Sequence, residues 1–177
     1  MSLSSVSPGA QAPDEVNVII EIPANSGPVK YEVDKVTGAI FVDRFMATPM
    51  FYPCNYGYVN ETLADDGDPL DVLVITPFPV LSGAVLPARP IGVLRMIDEA
   101  GEDAKILAVP PPRLSGEFAG VDNHDDVSPH LLRRIEHFFE HYKDLEPGKW
   151  VKLAGWGDAE EARQAVVASI ERHRDAQ

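Results

Sequence analysis

The 177-residue chain contains a single cysteine, Cys54, so no disulfide can form within it, and a lone thiol suits a reducing compartment. Basic side chains are also scarce: 15 Lys and Arg stand against 28 Asp and Glu, a formal net charge of −13. That balance disfavours nucleic acid and anionic membranes, which recruit basic surfaces, and a polyanionic substrate would need metal cations as escorts. No apolar run reaches the length of a bilayer span, and no basic start followed by an apolar stretch precedes Val16. These absences lead to the expectation of a soluble, cytoplasmic protein with no signal peptide. Internal repeats and low-complexity tracts are missing as well.

What is present is ordinary for one globular unit: 45% hydrophobic and 24% charged residues over a length that supports a sizeable core. A single domain over 1–177 is expected, opened by a small, polar, proline-containing arm at 1–15. The chain centres on Asp65-Asp66-Gly67-Asp68-Pro69-Leu70-Asp71, followed by the apolar run Val72-Leu73-Val74-Ile75. Gly67 and Pro69 suit a tight loop, and the β-branched run beyond suits a buried strand. Carboxylates so close repel one another unless some take up protons or a hard cation sits among them, so a divalent metal site is the first expectation. An EF-hand fails on spacing, because counting from Asp66 puts Asp71 at the glycine position and Pro77 at the glutamate position.

Strands are expected at Val16 to Ile22, with Glu21 opposite the main apolar row, at Lys30 to Val33, and at Ile40 to Arg44. Residues 45–60 read as an irregular aromatic segment. Cys54 within it is either a nucleophile or a buried filler among Pro and Tyr, and the lack of a neighbouring His favours the filler. Tyr52 and Tyr56 either pack beneath the loop or donate hydrogen bonds to an anion beside the acidic turn. Asp71 to Thr76, Ile91 to Asp98 and Ala104 to Val109 follow as strands, the last two as a hairpin turning at Glu99 to Glu102. A long surface loop is expected over 113–127. Ser128-Pro129 opens a helix carrying Leu131, Leu132, Ile135, Phe138, Phe139 and Tyr142, Trp150 to Leu153 is a last short strand, and Asp158 with Glu161 opens a second helix.

Two constellations compete. His137-Phe138-Phe139-Glu140-His141 matches the H-x-x-E-H pattern of inverted zinc proteases, yet these residues also fit the polar face of an amphipathic helix or a subunit contact. The acidic loop, grouped with Glu21, Lys30, Glu32, Arg44, Tyr52, Tyr56, Asp98, Asp103, Lys105, Tyr142 and Lys143, has the more coherent chemistry: carboxylates to hold Mg²⁺, and cations and phenols to grip phosphate oxygens. A small polyphosphate reacting with water is the substrate class this set suits. A binding module without turnover is the non-enzymatic alternative.

On these residues the chain resembles the soluble family I inorganic pyrophosphatases, bacterial type. The resemblance rests on Asp66-Gly67-Asp68-Pro69-Leu70-Asp71-Val72, Glu21-Ile22-Pro23, Lys30-Tyr31-Glu32 and Val42-Asp43-Arg44-Phe45. It continues through Phe51 to Tyr58, Asp98 to Lys105 and His137 to Lys143, with all blocks in family order between Val16 and Trp156. It implies a mainly β fold with α: a small closed OB-like five-stranded β-barrel with two outer helices and the site at the barrel mouth. It implies Mg²⁺-dependent hydrolysis of pyrophosphate to two orthophosphates, with several Mg²⁺ ions per site. By position, Asp66, Asp71, Asp98 and Asp103 are then metal ligands, and Asp68 is the general base for a metal-activated water. Lys30, Arg44, Tyr56, Tyr142 and Lys143 bind substrate, while Glu21, Glu32, Tyr52 and Lys105 support the cavity. The resemblance further implies a homo-oligomer, a hexamer, with His137 and His141 near a subunit contact.

Overall fold

The computed structural model describes residues 3–177; the first two residues of the expected arm lie outside the described range. Among the described residues eight strands form: β1 (Val16–Ile22), β2 (Val29–Val33), β3 (Ile40–Phe45), β4 (Asn55–Val59), β5 (Asp71–Val74), β6 (Val85–Asp98), β7 (Gly101–Val109) and β8 (Val151–Gly157). Helices α1 (Pro129–His141) and α2 (Ala159–Asp175) complete the main elements. The sheet runs β1-β4-β5-β7-β6, and β6 pairs back onto β1, so five strands close into a ring, the expected barrel. β8 adds outside the ring along β6, and β2-β3 is a separate hairpin. All pairings in the ring are antiparallel except β5 with β7.

Alternation explains how the ring fills. Val16, Val18 and Ile20 of β1, Val72 and Val74 of β5, Leu86, Ala88 and Val93 of β6, and Ile106 and Ala108 of β7 form one buried cluster, which Ala162 and Val166 of α2 join. The opposite rows of β5 and β7, Leu73, Leu107 and Val109, pack with Ile135, Phe138 and Phe139 of α1. A strand buried on both faces reads as a continuous apolar run, as Val72 to Ile75 does. β1 is covered on both faces too: Ile19, from the row expected to face away from the core, is fully buried against Val33 and Tyr58.

Several boundaries differ from expectation for local reasons. The irregular 45–60 segment contains β4, a ring strand whose apolar pattern is masked by tyrosines and Gly57. There β1 passes so close that a Cβ on Gly57 would lie 2.0 Å from the Ile19 carbonyl oxygen. Gly57→Ala is therefore expected to destabilise the fold by about 3 kcal/mol or more, read as a lowered urea midpoint at unchanged m-value. β6 starts at Val85, before the expected Ile91, and runs through Pro87 and Pro90. The second proline sits at a bulge, beside the handover from β1 to β7 as partner. Asp98 pairs with Gly101, so the hairpin turn is shorter than expected. The 113–127 loop contains two short 3-10 turns, Gly116–Phe118 and His124–Asp126. Ser128 makes no side-chain cap, although Pro129 does open α1, whereas the Asp158 carboxylate accepts the Glu161 N–H of α2 as expected.

Candidate active site

The acidic loop closes on itself. Thr62 Oγ1 accepts the Leu70 N–H (2.9 Å) at its base, the Ala64 N–H donates to the Asp68 carbonyl (2.7 Å), and the Asp68 N–H donates to the Asp66 carboxylate (3.0 Å). Gly67 turns the tip with φ +90°, a left-handed angle that suits glycine. Leu70 is buried in the barrel core, so the loop is pinned where β5 begins.

From that base the loop faces a cleft of about 250 Å³. The structure brings Lys30, Arg44, Tyr52, Tyr56, Asp66, Asp68, Asp71, Asp98, Asp103, Lys105, Tyr142 and Lys143 to its walls, though they come from β2, β3, β4, β5, β6, β7 and the segments between and beyond. Glu21 and Glu32 do not line this cleft. They line an adjoining recess that shares Lys30, Tyr56, Asp68 and Asp71 with it. Glu99 and Lys149 also face the cleft and were not foreseen. Glu99 adjoins the Asp98 motif and could have been read with it, but a single lysine in the Gly148-Lys149-Trp150 turn carries no signal.

Electrostatics sorts these groups. Lys105 is buried beneath Tyr56, its ammonium 5.7 Å from the ring centroid, and donates to Asp71 (2.5 Å) and Asp103 (2.6 Å). Burial works against its charge, but the two carboxylates outweigh burial and raise its pKa. Lys143 donates to Asp98 (2.7 Å) and lies 3.6 Å from Glu99, which Lys149 approaches to 3.4 Å. For Asp98 burial is again opposed, and the Lys143 and Ala100 N–H bonds hold its pKa below the usual value. Lys30 pairs with Glu32 and stands 3.5 Å from Asp43. Arg44 reaches Glu146 at 3.6 Å, while its buried Nε has no hydrogen-bond partner. Burial raises the pKa of Tyr52, Tyr56 and Tyr142, which stay protonated as donors. Tyr52 uses its hydroxyl on Met46 Sδ at 3.3 Å, which makes it part of the cleft's packing. Cys54 is buried and its thiol is pushed up to about 12 by desolvation, so it is the filler, not a nucleophile.

The donor set fits hard divalent cations. The carboxylates at the wall are oxygen ligands of the kind such ions prefer. Burial first, then the charges of Asp71 and Asp68, raises the pKa of Asp66, and burial first, then Asp71 and Asp66, leaves that of Asp103 raised despite Lys105. Both are carboxyls short of positive charge, and the Lys105 ammonium is the cation drawn between Asp71 and Asp103. Among the described residues no three acidic, His or Cys side chains converge into a closed cage. His137 and His141 lie on the outer side of α1, with ring centroids 4.7 Å apart and His141 Nδ1 on Asp144 at 2.8 Å.

Glu21 offers a test of this field. Burial, above all, raises its carboxyl from 4.5 to about 7, against the Val33 N–H it accepts, and the Asp71 and Glu32 charges add to the shift. An acid with a raised folded-state value binds protons preferentially when folded, so stability falls as pH rises from about 4.5 through 7. In EDTA, Glu21→Gln is expected to remove that fall, gaining roughly 3 kcal/mol over wild type at pH 8 and little at pH 4, by urea unfolding at each pH.

The family model described as inorganic pyrophosphatase matches residues 18–174. The inorganic pyrophosphatase of Xanthomonas campestris is 60% identical over 173 residues, covering 98% of this chain and 97% of its own. That of Escherichia coli is 58% identical over 175 residues, 99% of each chain. The solved inorganic pyrophosphatase of Coxiella burnetii superimposes with a TM-score of 0.92 at 55% identity, over 95% of this chain and 99% of the other. With the closed ring and its acidic cleft, these matches show that the chain belongs to the inorganic pyrophosphatase family.

Proposed function

We propose that the chain hydrolyses inorganic pyrophosphate to two orthophosphates in a Mg²⁺-dependent reaction. The observation that carries this is the gathering of Asp66, Asp68, Asp71, Asp98 and Asp103 with Lys30, Arg44, Tyr56, Tyr142 and Lys143 around one cleft in a member of this family. Asp66, Asp71, Asp98 and Asp103 would hold divalent cations. When bound, such ions neutralise phosphate oxygens and acidify water, which answers the repulsion between an anionic phosphorus and a poor nucleophile.

The chain's own groups do the rest. The Asp68 carboxylate is exposed on the rim and takes the proton as a water oxygen bonds to one phosphorus. The bridging P–O bond breaks, and the second orthophosphate departs with its charge spread over donors from Lys30, Arg44 and Lys143 and the Tyr56 and Tyr142 hydroxyls. Lys105 holds Asp71 and Asp103 in place beneath, and Glu21, Glu32 and Tyr52 brace the walls.

The lone cysteine suits a reducing compartment, and we place the activity in the cytoplasm. The chain acts as a homo-oligomer, a hexamer, with the outer His137 and His141 face of α1 at a subunit contact. The test of function is phosphate release from pyrophosphate. Rapid release with Mg²⁺, none with EDTA, and a loss of about 100-fold or more in Asp71→Ala are expected. A folded, Mg²⁺-supplied protein that releases nothing overturns the reading.

A further inference from the structure

We propose that Arg172, on α2 and away from the cleft, is a positioning residue that fixes the acidic loop and through it Asp66 and Asp68. Both backbone groups of Leu63 are held by α2: its N–H donates to the Ser169 carbonyl (2.9 Å), and its carbonyl accepts from Arg172 Nε (2.9 Å). The next residue, Ala64, gives its N–H to the Asp68 carbonyl and accepts from the Gly67 N–H (3.2 Å). The path from Arg172 to the backbone of Asp68 is therefore continuous hydrogen bonding through two adjacent residues. Arg172 Nη1 also meets Asp65 at 3.3 Å, but that pair is exposed and worth little.

Leu70 anchors the loop in the core and Ala64 packs against the same cluster, but the space between them is not filled. A cavity of about 180 Å³ lies there, lined by Ala64, Asp65, Leu70, Asp103, Ala165 and Arg172. With space at its back, the loop can retreat by the width of a small group unless the α2 bonds restrain it. An attacking group misplaced by about 1 Å can cost on the order of 100-fold in rate. The planar guanidinium serves because Nε can face the Leu63 carbonyl while Nη1 remains on Asp65.

The activity readout rests on the pyrophosphatase reading, and the others do not. In Arg172→Met, kcat is expected to fall roughly 10- to 100-fold at an unchanged KM for pyrophosphate. Without substrate, the Mg²⁺ dissociation constant by calorimetry should rise about 10-fold, and the Gly67 and Asp68 amides should exchange hydrogen faster while barrel amides do not. Arg172→Lys, which keeps charge and stem but lacks Nε, should fall between. Arg163→Met serves as control, since Arg163 sits on the same helix and pairs with Glu160 and Asp14 instead; it should match wild type. Wild-type exchange and Mg²⁺ affinity in Arg172→Met overturn the proposal, as does a uniform rise in exchange that Arg163→Met shares. An inactive wild type overturns the pyrophosphatase reading instead, and exchange and calorimetry still judge the clamp.

Discussion

Asp68→Asn is expected to lose about 10²- to 10⁴-fold in kcat while keeping its fold and its metal affinity. The side chain is exposed at the loop tip, so the isosteric amide costs little packing, and the backbone bonds of residue 68 to Ala64 and to the Asp66 carboxylate survive. What disappears is the ability to take a proton from water in the cleft. Steady-state phosphate release, with Mg²⁺ binding measured separately by calorimetry, separates the two properties. An intact rate would assign the base elsewhere, and a loss of metal binding together with rate would make Asp68 a ligand.

The second large effect concerns stability as well as rate. Lys105 is buried between Asp71 and Asp103, and Lys105→Met would leave two enclosed carboxylates with their shared cation gone. Breaking such a pair costs about 3–5 kcal/mol, and little turnover should remain. Because the folded-state pKa of Lys105 is raised, its contribution is complete below the ordinary lysine value near 10.4 and is lost only as pH climbs through the folded one. On the acid side the deficit of the variant should shrink once Asp103, whose carboxyl burial raises, takes up a proton. Thermal unfolding in EDTA from pH 4 to 9 checks this: a deficit independent of pH would mean that lost packing, not charge, sets the cost.

The acidic loop was legible because its chemistry is local. Four acids, a glycine and a proline within seven residues constrain backbone and charge together, and the structure places Asp66, Asp68 and Asp71 at the cleft as expected. Lys30, Arg44 and Lys143 were legible only through their family motifs, since a lone cation on a strand or helix end resembles any solvated side chain. β4 was hidden for the opposite reason. Its Gly57 and tyrosines obey a close strand crossing and an aromatic floor, Tyr56 packing 6.5 Å from Phe139, and neither is visible as period-two apolar alternation. Glu21 and Glu32 were placed in the right neighbourhood but not at the main wall, because a recess dividing two faces is a property of the hairpin's tertiary position. The Leu63 to Arg172 contact spans 109 residues and follows from no local rule.

The single parallel pair in the ring also governs when the protein can become an enzyme. β5 cannot find β7 through a tight turn, and β1 meets β6 only when Val16 reaches Ala88, so closure depends on contacts distant along the chain. Such topologies pay their loop entropy before the contacts repay it, and they fold slowly. Asp71 and Lys105 sit in register on that parallel pair, so the buried cation reaches its partner in the same event that closes the ring. The cleft also stays incomplete during synthesis until Lys143, which lines it, has emerged, and on refolding activity should return with the last, slowest recovery of tertiary structure.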